Sequence, residues 1–241
     1  MKKFNFVTTL LILLLAAGFL VAAPQSPQPQ ETESTVPELD AFHEIIYPIW
    51  HTAYPQKDYA ALRSYLPQIK SLAEKLYAAP LPGILRDKEA KWKEGLAELK
   101  KAVDDYAAAA SGTDEEAQLK AAEVLHARYE MLVRITRPVL KEMDEFHKVL
   151  YVIYHKDLPA KDYEKIKAAT QELILRAEAI TKATLPGRLE ARKEQFTRAA
   201  SELYEEAKVL GKTAKTKSGE AVAAAVEKVH AKYQDLVKVF D

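Results

Sequence analysis

Asp40-Ala-Phe-His-Glu-Ile-Ile-Tyr-Pro-Ile-Trp-His51 and Asp144-Glu-Phe-His-Lys-Val-Leu-Tyr-Val-Ile-Tyr-His155 are one pattern written twice. Moving outward, Pro55, Lys57, Asp58 and Tyr59 fall on Pro159, Lys161, Asp162 and Tyr163, and Leu81-Pro82-Gly83 falls on Leu185-Pro186-Gly187. Glu123, His126, Ala127 and Tyr129 fall on Glu227, His230, Ala231 and Tyr233. A shift of about 104 residues aligns Leu39 to Arg137 with Met143 to Asp241 without a gap, which marks an internal duplication. Only about 28 of about 99 aligned pairs are identical, yet all three histidine pairs are kept. That selectivity makes the histidines the first candidates for function.

Each copy predicts four helices. In the first they cover roughly 38–53, 58–79, 84–110 and 114–136; in the second, roughly 139–156, 162–184, 188–211 and 218–240. Phe42, Ile46, Ile49 and Ala53 recur at helical spacing on the first helix, and Leu62, Leu66, Ile69, Ala73 and Leu76 on the second. Pro80-Leu81-Pro82-Gly83 breaks the chain between helices. Lys57-Asp58-Tyr59 and its copy mark the start of the second helix. Four amphipathic helices with short connections predict an up-down-up-down bundle. The expected fold is therefore all-α, a tandem duplication of two four-helix bundles over 38–137 and 138–241. Arg137-Pro138 leaves almost no linker, so a kinked or near-continuous helix is expected to join them.

Composition narrows the function. The chain has 241 residues, with 35 basic residues against 35 acidic and no net charge. No basic face is implied, so nucleic acid is not an expected partner. The absence of cysteine excludes disulfides, thiolate metal sites and covalent c-type haem attachment. Seven glycines and no phosphate-loop or hydrolase motif give no sign of an enzyme. Residues 1–23 resemble a signal peptide: Lys2 and Lys3 precede an apolar run from Phe6 to Val21, and Val21-Ala22-Ala23 resembles a cleavage site. Pro24 after that site leaves an uncleaved N-terminal anchor as the alternative, the only expected membrane contact. Residues 24–37 are rich in Pro, Gln, Ser, Thr and Glu and predict a disordered spacer. A secreted or periplasmic location follows, with an envelope protein as a conceivable partner.

Asp40, His43, Tyr47 and His51 are spaced to form one stripe on a helix turning about 100° per residue. Measured from Phe42 as the core direction, the stripe lies at the boundary or outside. Glu123 and His126 share a face of the fourth helix, which runs antiparallel to the first. His43 and His51 would stand about 12 Å apart along the axis, too far to share one ion. A metal site would therefore use His126 with His51 or His43, and Glu123 or Asp40 as an oxygen ligand. The matched set is His147, His155, His230, Glu227 and Asp144. Imidazole with carboxylate suits a transition metal such as Zn or Cu. The expected function is thus non-enzymatic binding of a metal ion, one site per repeat, for buffering, delivery or sensing.

The layout resembles, at the level of topology, the periplasmic four-helix-bundle cytochromes of the b-type and cytochrome c prime groups. Their haem ligands also come from the first and last helices. The resemblance implies haem b as an alternative cofactor, with His43 and His126, and His147 and His230, as axial ligands. The Cys-x-x-Cys-His motif of the c-type members is absent. A third expectation is a ligand-free interaction module.

Overall fold

The computed structural model describes residues 31–216 and 218–240. The expected signal segment and the first part of the spacer, residues 24–30, lie outside that range. The chain is all-helical, with no strand among the described residues. No helix among them is long and apolar enough to cross a membrane.

In the first half, α1 (Pro37–Pro48) is followed by a π turn, Ile49–Ala53, and by α2 (Tyr54–Gln56). Then come α3 (Tyr59–Ser64), α4 (Leu66–Tyr77), a 3-10 turn at Gly83–Lys88, α5 (Glu89–Ser111) and α6 (Glu115–Thr136). The second half holds α7 (Lys141–Val152), a π turn at Ile153–Asp157, α8 (Tyr163–Thr181), a 3-10 turn at Gly187–Arg192, α9 (Lys193–Thr216) and α10 (Gly219–Lys238). Helix α1 packs on α4 and α6, and α5 on α4 and α6. Helices α7 to α10 pack each on the next, and the π turn at Ile153–Asp157 closes against α10.

Local rules explain most boundaries. Lys57 and Lys161 are the two non-glycine residues with left-handed backbone among those described, with φ of 54° and 55°. Each reverses the chain so that the next residue caps a helix. Asp58 accepts from the Ala61 amide at 2.9 Å, and Asp162 from the Lys165 amide at 3.1 Å. The Lys-Asp-Tyr element is thus a helix start in both copies. The π turns also occur twice. Pro48 precedes the first and Val152 the second, so a missing proline N–H is not what makes them.

Three expectations are corrected. The second helix of the first copy is broken at Tyr65, because Pro67 enters the first turn of α4 and cannot continue an existing helix. Its counterpart α8 has Gln171 there and runs unbroken. The junction is no near-continuous helix: Arg137 is extended, at φ −73° and ψ 131°, and α7 begins only at Lys141. Pro138 disfavours the helical conformation for the residue before it. Finally, Glu31 to Val36 pack against the folded chain instead of forming free spacer. Val36 is buried in the first core, and its carbonyl caps Leu39 at 2.9 Å.

The buried side chains form two large apolar clusters. One runs from Val36 to Val133 and includes Phe42, Ile49, Leu62, Trp92, Leu99 and Leu125. The other runs from Leu140 to Val239 and includes Phe146, Leu173, Phe196, Leu203 and Val226. A third, small cluster joins Ile84 and Leu85 of the first half to Tyr151 of the second, with Leu81 against it.

Candidate functional site

The histidines sit on matching ring stacks. His126 lies flat on Trp50 at 4.0 Å between centroids, and His230 lies flat on Tyr154 at 3.8 Å. His43 stacks on Tyr129 at 5.5 Å, and His147 on Tyr233 at 4.6 Å. Tyr47 meets His51 at 4.6 Å, and Tyr151 meets His155 at 4.7 Å. Phe42 and Phe146 support Tyr129 and Tyr233 from the core side. The stripe on the first helix and the His on the last do converge, as their spacing predicts. The π turns carry His51 and His155, which keeps each against the tyrosine four residues earlier.

The acids behave differently. Glu123 pairs with Lys120 at 2.9 Å, and Glu227 accepts from the Tyr154 hydroxyl at 3.0 Å. Asp144 accepts from Ser34 at 3.0 Å and pairs with Lys148 at 3.1 Å. Asp40 is exposed on α1. Among the described residues, no three of His, Asp and Glu stand close enough to hold a metal ion. His126 Nε2 stands 4.0 Å from Glu130 Oε1, and the rings of His155 and His230 lie edge to face with centroids 6.3 Å apart. The rings named as haem ligands, His43 and His126, lie against Tyr129 and Trp50, and their copies His147 and His230 against Tyr233 and Tyr154.

The two faces differ in what covers them. Tyr47 is 55% exposed, and His43 and His51 are exposed beside it. Tyr151, its copy, is 1% exposed. The cover is the 3-10 turn of the first half. Ile84 and Leu85 pack on Tyr151, and the Arg86 guanidinium lies over its ring at 4.9 Å. Arg86 also donates to the Tyr151 hydroxyl and to His155 Nδ1, the latter at 3.2 Å. An accepting Nδ1 places the neutral ring's proton on Nε2. Glu31 completes the seal: it accepts from the Tyr151 hydroxyl at 2.5 Å, pairs with Arg86 at 3.4 Å and with Lys156, and its carbonyl accepts from the Ile84 amide at 2.9 Å. Glu33 holds Lys148 at 3.1 Å. A β-carbon on Gly83 would collide with the Tyr151 hydroxyl and the Glu31 side chain.

Burial sets the electrostatics of both faces. Burial pushes His147 down to about 4, although Asp87 and Asp144 act against it and His230 and Lys88 assist. Burial likewise lowers His155, with Arg86 adding to it, and lowers His230 against the pull of Asp87 and Glu227. His126 is lowered by burial too, partly offset by Glu130, with His51 and His43 adding to the lowering. Beside the cover, a cleft of about 370 Å³ opens between the halves, lined by Asp87, Arg134, Arg137, Asp144, His147 and Tyr233 among others.

Arg86, Asp87 and Glu31 are the residues that sequence reasoning missed. One signal was available. Within the otherwise matched Leu-Pro-Gly turn, Ile84, Arg86 and Asp87 are replaced by Arg188, Glu190 and Ala191. Difference inside a repeat, at a turn, marks the place where the two copies stop being equivalent. No protein-family model, curated protein or solved structure matches the chain.

Proposed function

We propose that the chain is an exported, non-enzymatic tandem pair of four-helix bundles whose histidine–aromatic faces are docking surfaces. The two separate apolar clusters support the tandem arrangement. The single observation that carries the docking role is the contrast between Tyr151, sealed at 1% exposure, and its copy Tyr47, open at 55%. The sealed face gives a worked example of what such a surface receives: an apolar turn with a guanidinium over the tyrosine and a carboxylate on its hydroxyl. The open face offers the same rings to a protein outside the bundle. A photoreactive phenylalanine placed at Tyr47 tests this, with the exposed Val209 of α9 as the control position. Discrete cross-links from position 47 and none from 209 are expected; an unreactive position 47 refutes the role.

A transition-metal site is the second reading. It is favoured by the closeness of His155 to His230, and by His126 feeling both His43 and His51. Stacking leaves the edge nitrogens of the imidazoles free to ligate, but binding would require further ligands to move in, since no three stand together among the described residues. Anaerobic titration with Zn(II) or Cu(II) tests it. About two equivalents, lost in His126→Ala with His230→Ala, would establish the site, and binding should weaken below about pH 6 because ligation needs neutral imidazole.

A further inference from the structure

The turn that seals Tyr151 has a copy with nothing to seal. Gly187–Arg192 forms the same 3-10 turn as Gly83–Lys88, entered by Pro186 at φ −56° and ψ 140° against Pro82 at φ −55° and ψ 146°. A β-carbon on Gly187 would meet nothing within 4 Å, whereas Gly83 is wedged against Tyr151 and Glu31. The chain therefore carries one closed joint between a turn and a face, one open turn on its second half and one open face on its first.

We infer that the open turn of one copy docks on the open face of the next, so that the chain associates head to tail through the Gly187–Arg192 turn and the Tyr47 face. This partner assignment rests on the docking role proposed for the Tyr47 face. The relation that places the first half's turn on the second half's face, applied once more, places the second half's turn on the first half of another copy. Such a contact is heterologous, and it grows into an open chain unless the rotation closes a ring.

The two joints differ on both the turn and the face. In the closed joint Ile84 lies on Tyr151, three residues after Lys148 on the same helix; in the open one Arg188 replaces Ile84 and Glu44 replaces Lys148. A cation on that turn then meets an acid on that face. In the closed joint Arg86 reaches the Tyr151 hydroxyl and His155, while Glu31 supplies the carboxylate. In the open joint Glu190 stands in for Arg86, and it can accept from both the Tyr47 hydroxyl and His51. It brings the carboxylate on the turn itself, where the closed joint needed a separate segment. Leu189 keeps the place of Leu85 but is already buried at 8% exposure, so the new contact falls to the exposed Arg188 and Glu190. Glu190 pairs with Lys193 at the start of α9, at 2.9 Å, an exposed contact it can exchange.

The test is sedimentation of the full chain over a wide concentration range, with photo-cross-linking from position 47 in a mixture of two differently tagged copies. The expected result is a mass that keeps rising with concentration, and inter-copy cross-links that map to residues 185–192. Glu190→Lys should weaken association by about tenfold, the scale of one lost hydrogen bond to a charged group. Adding His51→Glu to Glu190→Lys should restore it, a rescue that general stickiness or misfolding would not give. A monomer at all concentrations, or self-cross-links that map elsewhere, overturns the inference. If the monomer still cross-links from position 47 to a different protein, the docking role stands without self-association. If position 47 is unreactive, both fail.

Discussion

Acid should loosen the second half of the molecule through His147, and the size of the effect follows from its burial. In the unfolded chain this imidazole titrates near 6.5; in the folded chain it is held down to about 4. Between those values the unfolded state binds the proton and the folded state does not. Stability is therefore intact above about pH 6.5 and falls as pH drops towards about 4. The full displacement corresponds to about 3 kcal/mol, at about 1.4 kcal/mol per pH unit. About 2 kcal/mol of that is lost between about pH 7 and about pH 4.5. The perturbation that isolates it is His147→Gln, which keeps polar hydrogen-bonding capacity but cannot titrate. Urea unfolding of both proteins at both pH values gives a cycle in which the other histidines, shared by both, cancel. Both tryptophans, Trp50 and Trp92, lie in the first half, so their fluorescence reports that half while far-UV circular dichroism reports the whole chain. The variant should lose about 2 kcal/mol less than the parent on acidification, in the helical signal that does not track tryptophan. Equal losses in the two proteins would refute the argument.

Arg86→Ala should cost about 1 kcal/mol, as a half-exposed charged hydrogen-bond donor, and should speed amide exchange across residues 81–88 and 151–156; unchanged exchange would mean that the guanidinium does not hold the joint. Removing the helix caps, Asp58→Ala or Asp162→Ala, should each cost about 1 kcal/mol in thermal or urea unfolding. Gln118 is fully buried, and neither its amide nitrogen nor its oxygen has a partner, while the matched residue in the second half is Val222. Gln118→Leu should therefore stabilise the first half by about 1 kcal/mol, and a loss in tryptophan-detected unfolding would contradict that. Because His126 lies flat on Trp50, His126→Phe should stay within about 1 kcal/mol of the parent, whereas His126→Ala should lose about 1 to 2 kcal/mol; equal losses would show that stacking is not what the imidazole contributes.

Periodicity carried the helices because each apolar face is long: Phe42, Ile46 and Ile49, or Leu99, Val103 and Tyr106, are spaced for burial whatever else surrounds them. It failed where one backbone group decides. Pro67 breaks a helix that its side-chain pattern continues, and Pro138 makes Arg137 extended at a point where both neighbouring segments read as helix. Composition failed at Glu31 to Val36. A run of Pro, Ser, Thr and Glu reads as solvated chain, but Glu31 and Glu33 find cations more than fifty residues away, at Arg86, Lys148 and Lys156. No local rule can pair them. The histidine stripe was legible as a boundary face, and the angles from Phe42 placed His43, Tyr47 and His51 outside the core as found. The partners of that stripe were not legible, because ring stacking depends on the rotation of α6 and α10 about their own axes.

The pattern of sameness between the halves separates two requirements. Trp50 and Tyr154, though not identical, both give a flat ring to the histidine of the last helix; Tyr129 and Tyr233 do the same for the histidine of the first. Those residues shape the face, and an imidazole suits it by stacking one flat side on carbon while its edge nitrogens stay polar at the boundary. What covers the face is free to differ, and it does: Ile84, Arg86 and Lys148 on the closed joint stand against Arg188, Glu190 and Glu44 on the open one. On the turn Arg86 becomes Glu190 and Ile84 becomes Arg188, and on the face Lys148 becomes Glu44, so the proposed joint cannot repeat the closed one and would need Arg188, not Glu190, against Glu44.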